Sequence, residues 1–166
     1  MNIRDALQEE LNEIRTKRIA AYSEHTQAVS NEHWQALKQA ISSEADTQDG
    51  VELIVAEVDG KIVGSVALFP PKADAYEGKV EELDYSEIRL LAVSPEARGK
   101  GVARALMTEC IHRTKAKGHD AIGLHTADFM RSAIMLYGQM GFERLPQYDF
   151  EPANDGVIVK AFRLQL

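Results

Sequence analysis

Apolar residues near the start of the chain fall at Leu7, Leu11 and Ile14, the i, i+4, i+7 spacing of one helix face. A short extended segment, Asn2 to Asp5, precedes them, and the pattern runs to Tyr22. Ser30 is placed to cap a second helix with an inner face of Trp34, Leu37 and Ile41. Ser42 to Gly50 is polar and reads as a loop. The period then changes. Val51–Val58 and Lys61–Phe69 are β-branched runs flanking Asp59-Gly60, which predicts a hairpin because a tight turn needs residues tolerant of positive φ. Pro70-Pro71 ends the second run, since neither residue can donate a ladder hydrogen bond. Ser86–Val93 predicts a third long strand and Val102–Lys117 a helix ended by Gly118. The inner face of that helix combines Val102, Leu106 and Cys110 with Ala103, Met107 and Ile111. Strand Ala121–Thr126, helix Met130–Met140 stopped at Gly141, and strands Phe142–Phe150 and Val157–Leu166 complete the chain. The order β-α-α-β-β-β-α-β-α-β-β predicts one α/β (α+β) domain over residues 1–166. Its mixed sheet would hold six to seven strands, with helices on both faces.

Composition narrows the functions this scaffold can serve. The 166 residues carry 19 Lys and Arg against 26 Asp and Glu, a net charge of −7, which counts against binding nucleic acid or an anionic membrane. Apolar runs fall far short of the roughly 20 residues that span a bilayer. Met1–Ile19 is charged throughout and has no leader-like apolar core. A single cysteine, Cys110, excludes an internal disulfide and a multi-thiolate zinc site. A cytoplasmic protein without a bound metal is the expectation.

The most informative chemistry follows the strand Ser86–Val93. Arg98-Gly99-Lys100-Gly101-Val102-Ala103 puts two glycines and a small residue at the start of a helix. There, converging backbone N–H groups and the helix dipole favour an anion such as a pyrophosphate, with Arg98 and Lys100 adding mobile positive charge. A plain glycine turn is the alternative reading of the same residues. A P-loop is excluded because Gly101 is followed by Val102-Ala103, and a dinucleotide fingerprint because Arg104 stands where its third glycine belongs.

Three motifs together resemble the GNAT acyltransferase superfamily. Arg98-x-x-Gly101-x-Ala103 is similar to its [QR]-x-x-G-x-[GA] acyl-CoA loop. Ile88 to Pro95 resembles its central strand, and Tyr137-Gly138-Gln139-Met140-Gly141-Phe142 its Y-x-x-x-G-F helix end. The resemblance is strongest from Glu87 to Phe142. It implies a fold in which the central strand splays from its neighbour at a bulge, and an N-acetyltransferase using acetyl-CoA as co-substrate. Carried over residue by residue, it implies a cofactor grip from Leu91, Ala92 and Val93 and from Arg98, Gly99, Lys100, Gly101, Val102 and Ala103. The Leu91 N–H would face the thioester carbonyl and Val93 would pair with the pantetheine arm through its backbone, the two side chains being core.

Attack of a neutral amine on a thioester needs an oxyanion donor, an acid for the sulfur and a base for the nitrogen. The resemblance places Tyr137 at the sulfur, where a phenol of ordinary pKa about 10 can protonate a thiolate. A core tyrosine bonded to backbone is the other reading. Glu87 takes the position linked to base catalysis; it would act directly, through water, or by orienting the substrate ammonium. His112 reads as solvated, His125 as a strand histidine able to face the cleft or to sit half-buried, and Cys110 as a small hydrophobe. One departure stands out: Met130 lies where many relatives have a cofactor-contacting Asn, leaving Thr126, Asp128 or Ser132 as substitutes.

The acceptor is the least legible part. Lys72–Glu87 has six acids and two lysines, and with Asp149-Phe150-Glu151 it would frame the acceptor side and steer a cationic amine. Solvated surface acids are the plainer reading. Asp84 and Glu82 are reserve candidates for the base. A small primary amine is the leading acceptor, a protein N-terminus or lysine the second, and a non-catalytic CoA sensor the third reading. Exposed edges near the last strands would allow a homodimer.

Overall fold

The structure, a computed structural model, describes residues 1–72 and 84–166. Among the described residues, seven strands form one mixed sheet in the order β1-β2-β3-β4-β5-β7-β6. They are β1 Asn2–Asp5, β2 Glu52–Val58, β3 Lys61–Phe69, β4 Ser86–Val93, β5 Ala121–Ala127, β6 Glu143–Arg144 and β7 Val159–Gln165. The α-helices among the described residues are α1 Leu11–Tyr22, α2 Asn31–Ile41, α3 Val102–Ala116 and α4 Arg131–Gln139. The pairing of β4 with β5 is parallel, and those of β1 with β2, β2 with β3, β5 with β7 and β6 with β7 are antiparallel. The chain divides into two compact units, Met1–Leu68 with Leu90–Cys110 and Phe69–Arg89 with Ile111–Leu166.

In the first unit the hairpin turns at Asp59 and Gly60, with φ of 51° and 77°, the left-handed pair that matches strand twist in a two-residue turn. Ser30 caps α2 as its position implied, its hydroxyl accepting the His33 N–H at 3.0 Å. Ile54, Val55 and Ala56 of β2 and Val66, Ala67 and Leu68 of β3 are wholly or almost wholly buried.

The α1 expectation needs correction. Leu7 is exposed and the first turn, Gln8–Glu10, is 3₁₀. The buried stripe is Ile14, Arg18 and Ala21, so the period holds but starts two turns later and includes an arginine. Arg18 is tolerated because its Nη1 donates to Asp46 Oδ2 at 3.0 Å and to the Ile41 carbonyl at 2.7 Å. Arg15 Nη2 donates to the other Asp46 oxygen at 2.7 Å. A buried carboxylate is stable when paired and hydrogen-bonded in this way. Asp46 lies in the polar Ser42–Gly50 stretch, whose 3₁₀ turn Glu44–Thr47 presents it.

In the second unit β5 pairs with β7 along its whole length. The predicted strand Phe142–Phe150 is reduced to Glu143–Arg144 and an isolated bridge from Phe150 to Val159. Pro146 opens a 3₁₀ turn, Pro146–Tyr148, between them, since proline cannot supply a ladder N–H.

Candidate functional site

In the first unit β4 ends at Val93 and a 3₁₀ turn, Pro95–Ala97, leads into the glycine loop. Gly99 and Gly101 both adopt positive φ, 74° and 80°, alternating with Lys100. Such left-handed steps turn successive N–H groups toward one side and make an anion nest. A side chain built on either glycine would meet nothing within 4 Å. The glycines are therefore required by backbone conformation and leave open space in front of the loop. The first N–H groups of α3 follow directly, without acceptors in their own helix. The loop thus fits a phosphate chain.

Arg98 departs from the expectation of a mobile charge. Its Nη1 pairs with Glu24, its Nη2 donates to the Ala21 carbonyl at 3.3 Å and its Nε to the Val93 carbonyl at 3.2 Å. All three guanidinium nitrogens are engaged, so the side chain ties the loop to the segment after α1. Leu91 and Val93 are half-buried, while Leu90 and Ala92 point inward. Strand alternation thus corrects the reading of the first two as core. Leu90 has a φ of 62°, rare for a branched residue and costing about 1–3 kcal/mol. This distortion follows the stretch of β4 paired with β5, Ser86 to Ile88.

In the second unit Tyr137 is buried near the end of α4. The Y-x-x-x-G-F pattern is there a helix stop of Schellman type. The Phe142 N–H donates to the Tyr137 carbonyl at 3.0 Å and the Gly141 N–H to the Gly138 carbonyl at 3.1 Å. Gly141 takes a φ of 94°, and the Tyr137 and Phe142 rings lie 6.0 Å apart. That contact between the third-last helical residue and the second residue past the cap accompanies the motif generally. Phe162 approaches the Tyr137 ring edge-on at 6.1 Å, so the ring is held on two sides.

Glu87 is buried, and its Oε1 lies 2.6 Å from Nδ1 of His125, whose side chain is 2% exposed. His125 Nε2 lies 3.0 Å from the Tyr148 carbonyl oxygen. Register explains the meeting. Glu87 is opposite Gly123 in the parallel pairing of β4 and β5, and His125 is two residues further on, on the same face. Gly123 has to be glycine, because a Cβ there would come within 2.5 Å of the Tyr85 ring and 3.3 Å of the Phe162 carbonyl. Arg163 stacks on Tyr85, its Cζ 5.8 Å from the ring centre. Burial, with Glu87 nearby, raises the Tyr85 pKa. Asp149, next to Tyr148, is held below the usual carboxylate range by Arg144, whose Nη2 donates to it at 2.6 Å.

The sequence profile of the Acetyltransferase (GNAT) family matches residues 5–142. The chain belongs to the GNAT acetyltransferase family. Among curated relatives, the mouse "Probable N-acetyltransferase family 8 member 5" is 35% identical over 57% of this chain and 39% of its own length. The Escherichia coli "Uncharacterized N-acetyltransferase YjgM" is 29% identical over 60% of this chain and 55% of its own. The matched region is thus about two fifths to a little over half of these relatives. Among solved structures, PaiA N-acetyltransferase from Thermoplasma acidophilum in complex with coenzyme A aligns at a TM-score of 0.73. It is 16% identical, covering 99% of this chain and 98% of that one. Ribosomal-protein-alanine N-acetyltransferase from Brucella melitensis aligns at 0.71 with 22% identity, each chain fully covered. These likenesses establish the GNAT fold.

Within this GNAT chain, Thr126 and Asp128 are already engaged. Thr126 Oγ1 donates to the Met130 sulfur at 3.4 Å, and Asp128 Oδ2 accepts the Ile158 N–H at 3.1 Å. Ser132 is exposed in the first turn of α4. His112 is exposed on α3 and Cys110 is buried in it. Most of Lys72–Glu87, including Glu82, lies outside the described residues, whereas Asp84 is described and exposed. Among the described residues no cluster of His, Cys, Asp and Glu is placed to hold a metal, and no helix is long and apolar enough to cross a membrane. Sequence reasoning weighed His125 and Glu87 separately and missed their pairing. Their separation of 38 residues carries no local signal; the parallel register of two strands does.

Proposed function

We propose that the chain is an acetyl-CoA-dependent N-acetyltransferase that acetylates the primary amine of a small molecule by direct attack in a ternary complex. The observation that carries this reading is the pair of left-handed glycines at the start of α3, with open space in front of them. In this reading the N–H groups of Gly99 to Ala103 hold the pyrophosphate, aided by Lys100. Backbone groups of Leu91, Ala92 and Val93 take the pantetheine arm, and the Leu91 N–H donates to the thioester oxygen as it becomes an oxyanion. The distortion at Leu90 supports that role. As the amine nitrogen bonds to the carbonyl carbon, its proton passes to Glu87. The carbon–sulfur bond then breaks, and the Tyr137 hydroxyl protonates the leaving thiolate.

The test is release of free thiol from acetyl-CoA with a panel of small primary amines and of short peptides. Turnover with small amines but not peptides is expected. Turnover confined to peptides would replace the small acceptor by a protein. Binding of acetyl-CoA with no turnover on any amine would leave a sensor and remove the enzyme reading.

A further inference from the structure

The contacts of His125 bear on how Glu87 takes a proton, an inference that rests on the base reading above. The Tyr148 carbonyl can only accept, so His125 Nε2 carries a hydrogen and donates it at 3.0 Å. Nδ1 faces Glu87 Oε1 at 2.6 Å, a separation at which a proton lies between the two atoms. Two arrangements satisfy both contacts. Either Glu87 is a carboxylic acid beside a neutral imidazole, or it is a carboxylate beside an imidazolium. In the first, Glu87 is a neutral carboxylic acid, a far weaker base than a carboxylate. In the second, Oε1 is held by the Nδ1–H, and Oε2 is the carboxylate oxygen that the ring does not engage.

We propose that His125 is a positioning residue, held as an imidazolium by the Tyr148 carbonyl and Glu87, which keeps the buried Glu87 ionised with Oε2 as its proton-accepting atom. The charges around the ring agree with this form. Asp149 adjoins Tyr148 and is kept anionic by Arg144, while Tyr85, whose pKa burial and the Glu87 charge raise, is a neutral phenol stacked with Arg163. Phe150 covers the imidazole at a centroid distance of 5.6 Å, leaving it shielded from solvent. The step balances simply. The amine N–H bond breaks, its electron pair stays on nitrogen, and the proton moves to Glu87 Oε2. The His125 protons remain where they were, and the pair returns to rest by losing that proton to solvent.

Nitrogen-15 NMR of the His125 ring in the full chain at neutral pH decides the charge state without any substrate. Both ring nitrogens protonated in the wild type, with one N–H lost in Glu87→Gln, is the expected result. A neutral ring in the wild type overturns the proposal, whatever the activity. Kinetics with the best amine from the panel provide the second arm. Glu87→Gln should lose roughly 10²–10⁴-fold in kcat, His125→Gln a large part of that, and the double variant no more than Glu87→Gln alone, since the two act as one unit. Multiplicative losses overturn the pairing. Full activity in Glu87→Gln with an imidazolium still seen in the wild type would remove the base reading and leave the ion pair standing.

Discussion

Tyr137 illustrates how a single side chain is held by ring packing and by a helix stop together. Its ring is fixed by Phe142 and Phe162 and its carbonyl by the helix stop. Removing the hydroxyl alone leaves these contacts in place. In the proposed mechanism Tyr137→Phe should slow turnover by roughly 10²–10⁴-fold, the span for a general acid, with the ring packing kept. A near-normal rate would make water the proton source. Glu10 offers a test independent of function. Hydrogen bonds from Arg4 and from the Leu7 N–H lower its pKa from 4.5 to about 2. Between these values the unfolded chain binds the extra proton, so stability rises with pH through that window and is lost as pH falls toward 2. Glu10→Gln should flatten the stability profile between about pH 4.5 and pH 2 and leave its shape at neutral pH unchanged. Urea unfolding across that range would show it.

Two elements lend themselves to direct tests. The loop before α3 needs positive φ at Gly101 and open space in front of it. Gly101→Val puts a branched side chain into that space and strains the backbone, so binding of acetyl-CoA, read by calorimetry, should be abolished. Undiminished binding would show that the loop is not the phosphate site. The α1 stripe carries a buried arginine whose charge is countered by Asp46. Asp46→Asn leaves Arg18 without a countercharge in a site that excludes water. Breaking one side of a buried pair costs roughly 3–5 kcal/mol, and chemical denaturation should register a loss of that order. A loss below about 1 kcal/mol would mean that the pair contributes no more than a surface salt bridge.

For the whole molecule, a ligand that binds the folded chain and not the unfolded one stabilises it by mass action. At 100 times its dissociation constant this amounts to about 2.7 kcal/mol. Acetyl-CoA should raise the melting temperature with a logarithmic dependence on concentration, and a melting temperature insensitive to acetyl-CoA would contradict cofactor binding.

Local patterning was enough to place most of the elements. The Asp-Gly turn, the Ser30 cap, the glycine stops after α3 and α4 and the β4 run are encoded within a few residues, because caps and turns depend on the conformations those residues can adopt. The family was legible for a related reason. The glycine loop and the Tyr137–Phe142 helix stop are backbone devices, and backbone devices are written as short motifs. What needed the folded chain was long-range pairing. Periodicity put Leu7 on the inner face of the first helix and passed over Arg18, since a charged residue is read as exposed until its partner, Asp46, is brought to it by a loop. Arg98 was read as free for the same reason, before Glu24 and the Ala21 carbonyl were in place. The Glu87–His125 pair arises from the register between β4 and β5, set by backbone hydrogen bonds and by the room that Gly123 leaves for Tyr85. No spacing along the chain encodes that register, and only the assembled sheet decides it.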